Sequence, residues 1–227
     1  MARKGLFVTV LLTVFAGGAF AMPQFGISAG GGMMFDHANL GYLRTRIPPA
    51  TATDIAVTNS ISVEHQGFGA CGFLDLTFAE LSIGILGGPA DYYRAGDEEP
   101  THRGTFAALD FSLLGRFPFE LMGGNVSLFP LLGIGYNVVL MSREDFVGDY
   151  PATTSHMNSF RLQFGAGGDF DISERAFLRT SVLGTWRFPV RYLEDRATEI
   201  RNGPTPMEAT TRGDIGITVK LGVGFRF

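Results

Sequence analysis

Apolar residues alternate with small or polar residues along most of this chain, and the alternation is clearest at the C-terminal end. Over residues 212–227, an apolar residue occupies every second position from Ile215 to Phe227. Glycine, threonine and charged residues such as Lys220 occupy the positions between them. A period of two places successive side chains on opposite faces of a β-strand. The pattern therefore predicts a strand with one apolar and one polar face.

Seven upstream segments repeat this alternation. The eight segments are 25–35, 67–77, 81–89, 104–117, 126–140, 160–172, 178–190 and 212–227. Short connections at 78–80, 118–125 and 173–175 alternate with long ones at 36–66, 91–103, 142–157 and 192–211. An even strand number with this rhythm is typical of bacterial barrels that cross a membrane. We therefore predict an all-β fold, an eight-stranded antiparallel up-and-down transmembrane barrel with short periplasmic turns and four longer extracellular loops.

Aromatic residues on the apolar faces lie mostly near the strand ends, which predicts two girdles at the membrane interfaces. The expected periplasmic girdle contains Phe25, Phe78, Phe117, Phe170, Phe225 and Phe227, and the outer one contains Phe35, Phe68, Tyr136, Phe160 and Phe188. A soluble β-sandwich or soluble barrel is the alternative fold. It would not favour so many apolar residues on one face of all eight strands.

The N-terminus has the pattern of a secretory signal peptide. A basic start at Arg3 and Lys4 precedes a short apolar run at 6–16 and an Ala19-Phe20-Ala21 site. We predict that residues 1–21 are a signal peptide cleaved after Ala21, and that 22–227 form a single barrel domain. The apolar run is shorter than the roughly 20 residues that a transmembrane helix requires. No later segment has 18 consecutive apolar residues, so helical spans are not expected.

Composition excludes some partners and supports a charged interior. Without Arg3 and Lys4, the chain has 16 basic and 22 acidic residues, which gives a formal charge near −6. This negative charge argues against nucleic-acid binding. Cys71 is the only cysteine, so an intramolecular disulfide is excluded. Arginine occurs 16 times and lysine twice. The planar guanidinium suits buried ion pairs better than the compact ammonium.

Charged residues of both signs fall on the faces that point into the predicted lumen. Such residues can offset the cost of burial by pairing with each other. We predict a lumen ion-pair network of Asp75, Asp110, Arg116, Arg161, Asp169, Asp171, Arg179, Arg187, Asp214, Lys220 and Arg226. An eight-stranded barrel has room only for side chains or one small ligand. A structural plug is the first interpretation, and a selectivity lining or proton path is the alternative.

Glycine is frequent at the same inward positions, where it can relieve crowding or leave a cavity. In the second case a small hydrophobic molecule would meet an apolar lumen lining of Phe73, Leu86, Phe106, Phe129 and Leu131.

Catalytic and cofactor patterns are weak in this sequence. The histidines are His37, His65, His102 and His156, all of which fall in predicted loops, and none has a serine two residues later. A nucleophile–base pair is therefore not evident, and we predict no enzymatic activity. The segment 165–170 has Phe170 at the position of the third glycine in a dinucleotide-binding loop, and it lacks the helix of such a loop. We expect no cofactor and no metal site.

The leader, the eight alternating segments, the long–short rhythm and the terminal Phe227 together resemble small outer-membrane barrels of the OmpW and OmpX/OmpA types. The hairpin over residues 74–92 is loosely similar to the second hairpin of OmpW-type proteins. The resemblance implies location in the outer membrane of a diderm bacterium. It also implies that Phe227 is an assembly signal, read by the outer-membrane barrel assembly machinery through the C-terminal strand.

Three functions follow as alternatives from this resemblance. The first is a narrow passive conduit or binding barrel for small molecules, including hydrophobic ones. The second is a surface-exposed structural or adhesive barrel with a plugged lumen, whose loops contact a host surface ligand or matrix. The third and most remote is an enzyme that modifies lipid A. Outer-membrane lipid is an expected partner in each case.

Overall fold

The computed structural model describes residues 26–47, 57–94, 99–100, 102–142, 154–203 and 208–227, and these form one closed sheet with one helix at its mouth. The strands are β1 (Ile27–Ile47), β2 (Val57–Leu76), β3 (Ala79–Arg94), β4 (His102–Arg116), β5 (Phe119–Leu121), β6 (Val126–Ser142), β7 (Ser159–Asp171), β8 (Ala176–Arg187), β9 (Glu208–Arg212) and β10 (Asp214–Arg226). The helix is α1 (Arg191–Asn202), and short 3₁₀ turns lie at Met122–Gly124 and Thr154–Met157.

The wall of the barrel has eight strands. The interrupted strands β4–β5 and β9–β10 each count as one wall strand. Neighbouring wall strands pair antiparallel, with β4 against β6 and β8 against β10, and β10 also pairs with β1, which closes the cylinder. Strand β5 pairs with β6 after a break from β4, and β9 pairs with β1 before Gly213 leads into β10. The predicted eight-stranded antiparallel up-and-down barrel is confirmed.

Large apolar side chains cover the outer face of this cylinder. Phe68 and Ile85 are each 60% exposed and Leu132 is 69% exposed, although all three lie within strands. Each of the three has at least one buried inward neighbour along its strand. Such a surface is suited to lipid and not to water. No helix among the described residues is long and apolar enough to cross a membrane.

The predicted loop boundaries are wrong at the outer end of the barrel. Pairing of β1 with β2 continues to Ile47 and Val57, so much of the predicted 36–66 loop is strand. Strands β3 and β4 likewise extend into the predicted 91–103 loop, and the predicted 192–211 loop contains α1 and β9. Beyond the lipid layer the outer face need not be apolar, so the alternation fades while the hydrogen-bond ladder continues. The predicted signal peptide, residues 1–21, lies outside the described residues.

Glycines on the inner face make room for large neighbouring side chains. A Cβ on Gly224 would lie 2.3 Å from the Phe177 ring, and one on Gly167 would lie 2.4 Å from Phe129. A Cβ on Gly135 would lie 2.5 Å from Arg161 Nε. At these positions the glycines relieve crowding and do not leave an open cavity.

We expect Gly135→Ala to destabilise the barrel by about 1–3 kcal/mol, because the added methyl group overpacks a fully buried site. Urea unfolding in lipid vesicles measures the change. Gly72→Ala is the matched control, since a Cβ there meets its nearest neighbour, Gly30 O, at an ordinary 3.6 Å. Equal stability of the two variants would contradict the filled interior.

Candidate functional site: the barrel interior

Arg179 is the centre of a buried ion-pair cluster near the short-turn end of the barrel. Its Nε donates to Asp169 Oδ1 at 2.7 Å, and its Nη1 donates to Asp75 Oδ1 at 2.9 Å. Nη1 also donates to Glu80 Oε2 at 3.2 Å. The planar fork of arginine allows one side chain to serve three carboxylates in this way. Strands β2, β3, β7 and β8 are thereby joined across the lumen.

Two further cations complete this cluster, which we call the lower cluster: Asp75, Glu80, Arg116, Asp169, Arg179 and Lys220. Arg116 Nη1 lies 2.5 Å from Asp75 Oδ2, and its Nη2 lies 3.2 Å from Asp169 Oδ2. Lys220 Nζ lies 3.5 Å from Glu80 and donates to Ser82 at 2.6 Å. Three carboxylates thus face three cations, and all six side chains are buried.

Aromatic rings support the arginines of this region. The Arg116 guanidinium lies 4.1 Å from the Phe129 ring centroid, and that of Arg179 lies 4.2 Å from the Phe73 centroid. Arg226 lies over Phe177 at 4.9 Å and forms an ion pair with Asp171, its Nη1 donating at 2.8 Å. Cation–π contacts of this kind strengthen when they are withdrawn from water.

A second cluster, the upper cluster, contains Asp36, Asp110, Arg161 and Arg187. Arg161 binds Asp110, and Arg187 binds Asp36. Asp36 also accepts a hydrogen bond from Thr218 at 2.6 Å and contacts His65 Nε2 at 2.9 Å. Two carboxylates therefore face two guanidinium groups, all at most 1% exposed.

All predicted charged residues except Asp214 take part in these ion pairs. Asp214 lies opposite Arg187 in the β10–β8 register, but Arg187 binds Asp36 and Ser159 instead. Among the described residues Asp214 has no ion-pair partner, which corrects the expectation for this position.

Asp36, Glu80 and His65 complete the clusters but were missed, because they were assigned to loops or turns. The alternation of faces along the strand could have identified Asp36, because it continues the inward positions that include Ser28 and Met34. The expectation that every histidine lies in a loop is also corrected: His37 is on β1, His65 on β2 and His102 on β4.

The five predicted apolar lining residues do not form one pocket. Phe129 and Leu131 pack with Leu114 and Leu183. Leu86 and Phe106 belong to a different cluster near the outer mouth, and Phe73 lies against Arg179. The predicted lining is therefore divided among three places in the barrel.

Helix α1 covers the outer mouth of the barrel. Its Tyr192, Leu193 and Ala197 are buried against a cluster that includes Leu43, Leu86, Phe106 and Met157. Val190, the last residue of the predicted 178–190 strand, is also buried there because β8 ends at Arg187. Leu193, Ala197 and Ile200 recur at helical spacing, but the sequence around them is polar, and the segment was therefore assigned to a loop.

The other end of the barrel opens into a vestibule of about 430 Å³. Its walls come from the short turns and the chain end, including Thr77, Glu120, Glu174 and Phe227. Its floor comprises Asp75, Arg116 and Asp169 of the lower cluster. Above this floor, a cavity lined by Cys71, Phe73 and Lys220 measures only about 10 Å³.

Metal chemistry has no support in the part of the chain that the structure describes. No group of three or more histidine, cysteine, aspartate or glutamate side chains is placed there to hold a metal ion.

Comparisons with known proteins find no sequence relative and only distant structural similarity. No protein-family model matches the sequence, and no curated protein matches it. Ail, the attachment invasion locus protein of Yersinia pestis, is 15% identical over 90% of this chain and 100% of its own, with a TM-score of 0.37. The outer membrane protease OmpT of Escherichia coli is 8% identical over 91% and 98%, with a TM-score of 0.40. The outer membrane protein AlkL is 12% identical over 92% and 93%, with a TM-score of 0.39.

The closed eight-stranded wall with its apolar outer face is the architecture of small outer-membrane barrels.

Proposed function

We propose that this chain is a closed outer-membrane barrel that acts at the cell surface as a structural or adhesive protein. One observation carries the proposal: the lumen is filled by ion pairs of balanced charge. The lower cluster has three carboxylates and three cations, and the upper cluster has two of each. Because each charge is neutralised by a partner, the lumen has little net electrostatic potential to attract or select a solute ion.

Steric arguments support the same proposal. A cavity of about 10 Å³ inside the lower cluster has room for about one water molecule. Above the upper cluster, α1 buries Tyr192, Leu193 and Ala197 in the mouth. A solute would have to displace both the helix and the arginines.

The narrow conduit is the second candidate. Leu86 and Phe106 under α1 favour it, because an apolar chamber would be uncovered if the helix moved. Movement of the helix alone would still leave both ion-pair clusters in place, so the geometry favours the surface role.

We also propose that the chain is not an enzyme. His65 contacts Asp36 and is only 4% exposed, so a substrate cannot reach its imidazole ring. Two hydroxyl groups of the same cluster are engaged elsewhere, since Thr218 donates to Asp36 and Ser159 accepts from Arg187. A nucleophile–base pair is absent from these contacts.

Reconstitution into liposomes tests the surface proposal against the conduit. We expect the flux of small sugars and of small apolar solutes to equal that of empty vesicles. Flux above that level would favour the conduit. Adhesion is tested separately, by asking whether peptides with the sequences of the β1–β2 and β6–β7 connections, residues 48–56 and 143–153, reduce binding of intact cells to host matrix. Location in the outer membrane and recognition of Phe227 by the assembly machinery belong to the same proposal.

A further inference from the structure

His65 joins the upper cluster to the apolar cluster under α1. Its Nε2 lies 2.9 Å from Asp36 Oδ2, and its ring centroid lies 4.6 Å from that of Phe106. Phe106 belongs with Tyr192 and Leu193 of α1 to the buried apolar cluster at the outer mouth. The imidazole therefore contacts both a buried carboxylate and the apolar layer that the helix covers.

The wall around His65 lies beyond its lipid-facing part. His65 is three residues further out on β2 than Phe68 of the predicted outer girdle. On the outer face at this level, His37 Nε2 lies 3.1 Å from Glu64 Oε1, and Asp91 is opposite Glu64 in the β2–β3 register. Such polar and charged side chains face water and not lipid tails. His65 is therefore inside the mouth but outside the membrane-spanning segment.

A proton on His65 would add a charge for which the upper cluster has no free partner. Asp36 and Asp110 already face Arg161 and Arg187, so two charges of each sign are paired. The charges that act on the ring come from Asp36 on β1, Arg187 on β8 and Arg161 on β7. Burial of the ring, and then Arg187, lower the pKa of His65, and the contact with Asp36 only partly offsets them.

Helix α1 is the element near His65 that can move at the lowest cost. The wall strands are joined by long ladders of backbone hydrogen bonds, whereas α1 is packed in the mouth through buried Tyr192, Leu193 and Ala197. Its N-cap is Val190, which provides no side-chain hydrogen bond to the first turn. None of the three buried side chains carries a charge at neutral pH, so none would offset a proton on the ring. Segments with few buried contacts open before the core of a structure does.

We propose that His65 is an acid-sensitive switch, in which protonation of the ring favours displacement of α1 from the outer mouth. Displacement would let water reach the imidazolium ring and would uncover Leu86 and Phe106. The closed mouth favours the neutral ring, so its stability is complete above pH 6.5 and falls as the pH decreases below that value. The switch goes beyond the proposed surface role, because both ion-pair clusters would still fill the lumen.

The size of the effect follows from linkage. If the hydrated ring of the open state has the ordinary His65 pKa of 6.5, the equilibrium constant for opening should rise by up to about 30-fold between pH 7.5 and pH 5. The full rise requires that the ring stays neutral at pH 5 while the mouth is closed.

Amide hydrogen exchange of the folded full-length barrel in an uncharged detergent tests the proposal, with mass spectrometry of peptides from α1 and β7. Protection factors, corrected for the effect of pH on the intrinsic exchange rate, report the opening of each segment. We expect the protection of α1 to fall by up to about 30-fold between pH 7.5 and pH 5, while that of β7 stays constant. The variant His65→Gln should lose this pH dependence, because glutamine can still donate to Asp36 but cannot take up a proton.

The matched control is His156→Gln, on the 3₁₀ turn at Thr154–Met157 that packs beside α1. This variant should keep the pH dependence of the unmodified protein. A heat-dependent shift on a detergent gel verifies that each variant is folded. Constant α1 protection in the unmodified protein, the same fall in His65→Gln, or loss of the fall in both variants would overturn the proposal. An equal fall in α1 and β7 would overturn it too, because acid would then loosen the whole barrel.

Discussion

Replacement of Arg179 by methionine is expected to lower the free energy of unfolding by about 3–5 kcal/mol, the usual cost of removing one partner from a buried ion pair. Arg179 contacts Asp75, Glu80 and Asp169 and is 3% exposed. Without it, three buried carboxylates would share Arg116 and Lys220. Methionine fills much of the same volume, so the loss should reflect charge and hydrogen bonds more than a cavity.

Urea unfolding in lipid vesicles and the temperature of the heat-dependent gel shift both measure this effect. Arg103→Met is the control, because Arg103 is exposed at the outer end of β4. Arg179→Lys should lie between the two, since lysine keeps the charge but cannot bind three carboxylates at once. If Arg179→Met were as stable as Arg103→Met, the lower cluster would not hold the strands together.

The second large effect is expected at Asp110 and Arg161, whose ion pair is the part of the upper cluster least shared with other charges. Asp110→Leu or Arg161→Met alone should each cost about 3–5 kcal/mol, because each leaves an unpaired buried charge. The double variant should cost much less than the sum, since an apolar pair of similar size often replaces a buried ion pair with little loss.

A double-mutant cycle from unfolding free energies measures this coupling. Asp171→Leu with Arg226→Met is a useful comparison, because the Arg226 and Asp171 side chains are 37% and 21% exposed. Solvent screening should reduce the coupling there to about 1 kcal/mol or less. Additive effects at Asp110 and Arg161 would show that the two side chains do not interact as the structure indicates.

Much of the architecture was predictable because one physical rule acts along the whole membrane-spanning wall. Lipid requires apolar side chains outside, and the pleat turns every second residue inward, so Leu132 and Arg161 could be assigned to faces without a structure. The strand number and the short turns followed from the same pattern.

The outer end could not be predicted in the same way. Above the lipid, strand pairing depends on backbone hydrogen bonds that are compatible with many side chains. The residues from Tyr42 to Ile47 pair with β2 without a clear alternation, after a bulge in which Gly41 has φ +126°. Helix α1 is held by tertiary packing of a few residues, and its sequence alone is polar.

The interior was partly predictable. The alternation of inward and outward positions identified the inward charged residues. The pairing of Arg179 with residues 10, 99 and 104 positions away in the sequence depends on how the cylinder closes. Glycine was ambiguous for the same reason. Whether Gly135 leaves a cavity depends on the Arg161 side chain from the neighbouring strand.

Ion conductance across a planar lipid bilayer tests the central claim most directly. A lumen filled by two clusters of balanced charge and covered by α1 should conduct no more current than the bare bilayer, at either polarity. Folded protein should be verified in the same sample by its heat-dependent gel shift. Steady, discrete conductance steps from the folded, unmodified protein would contradict the account.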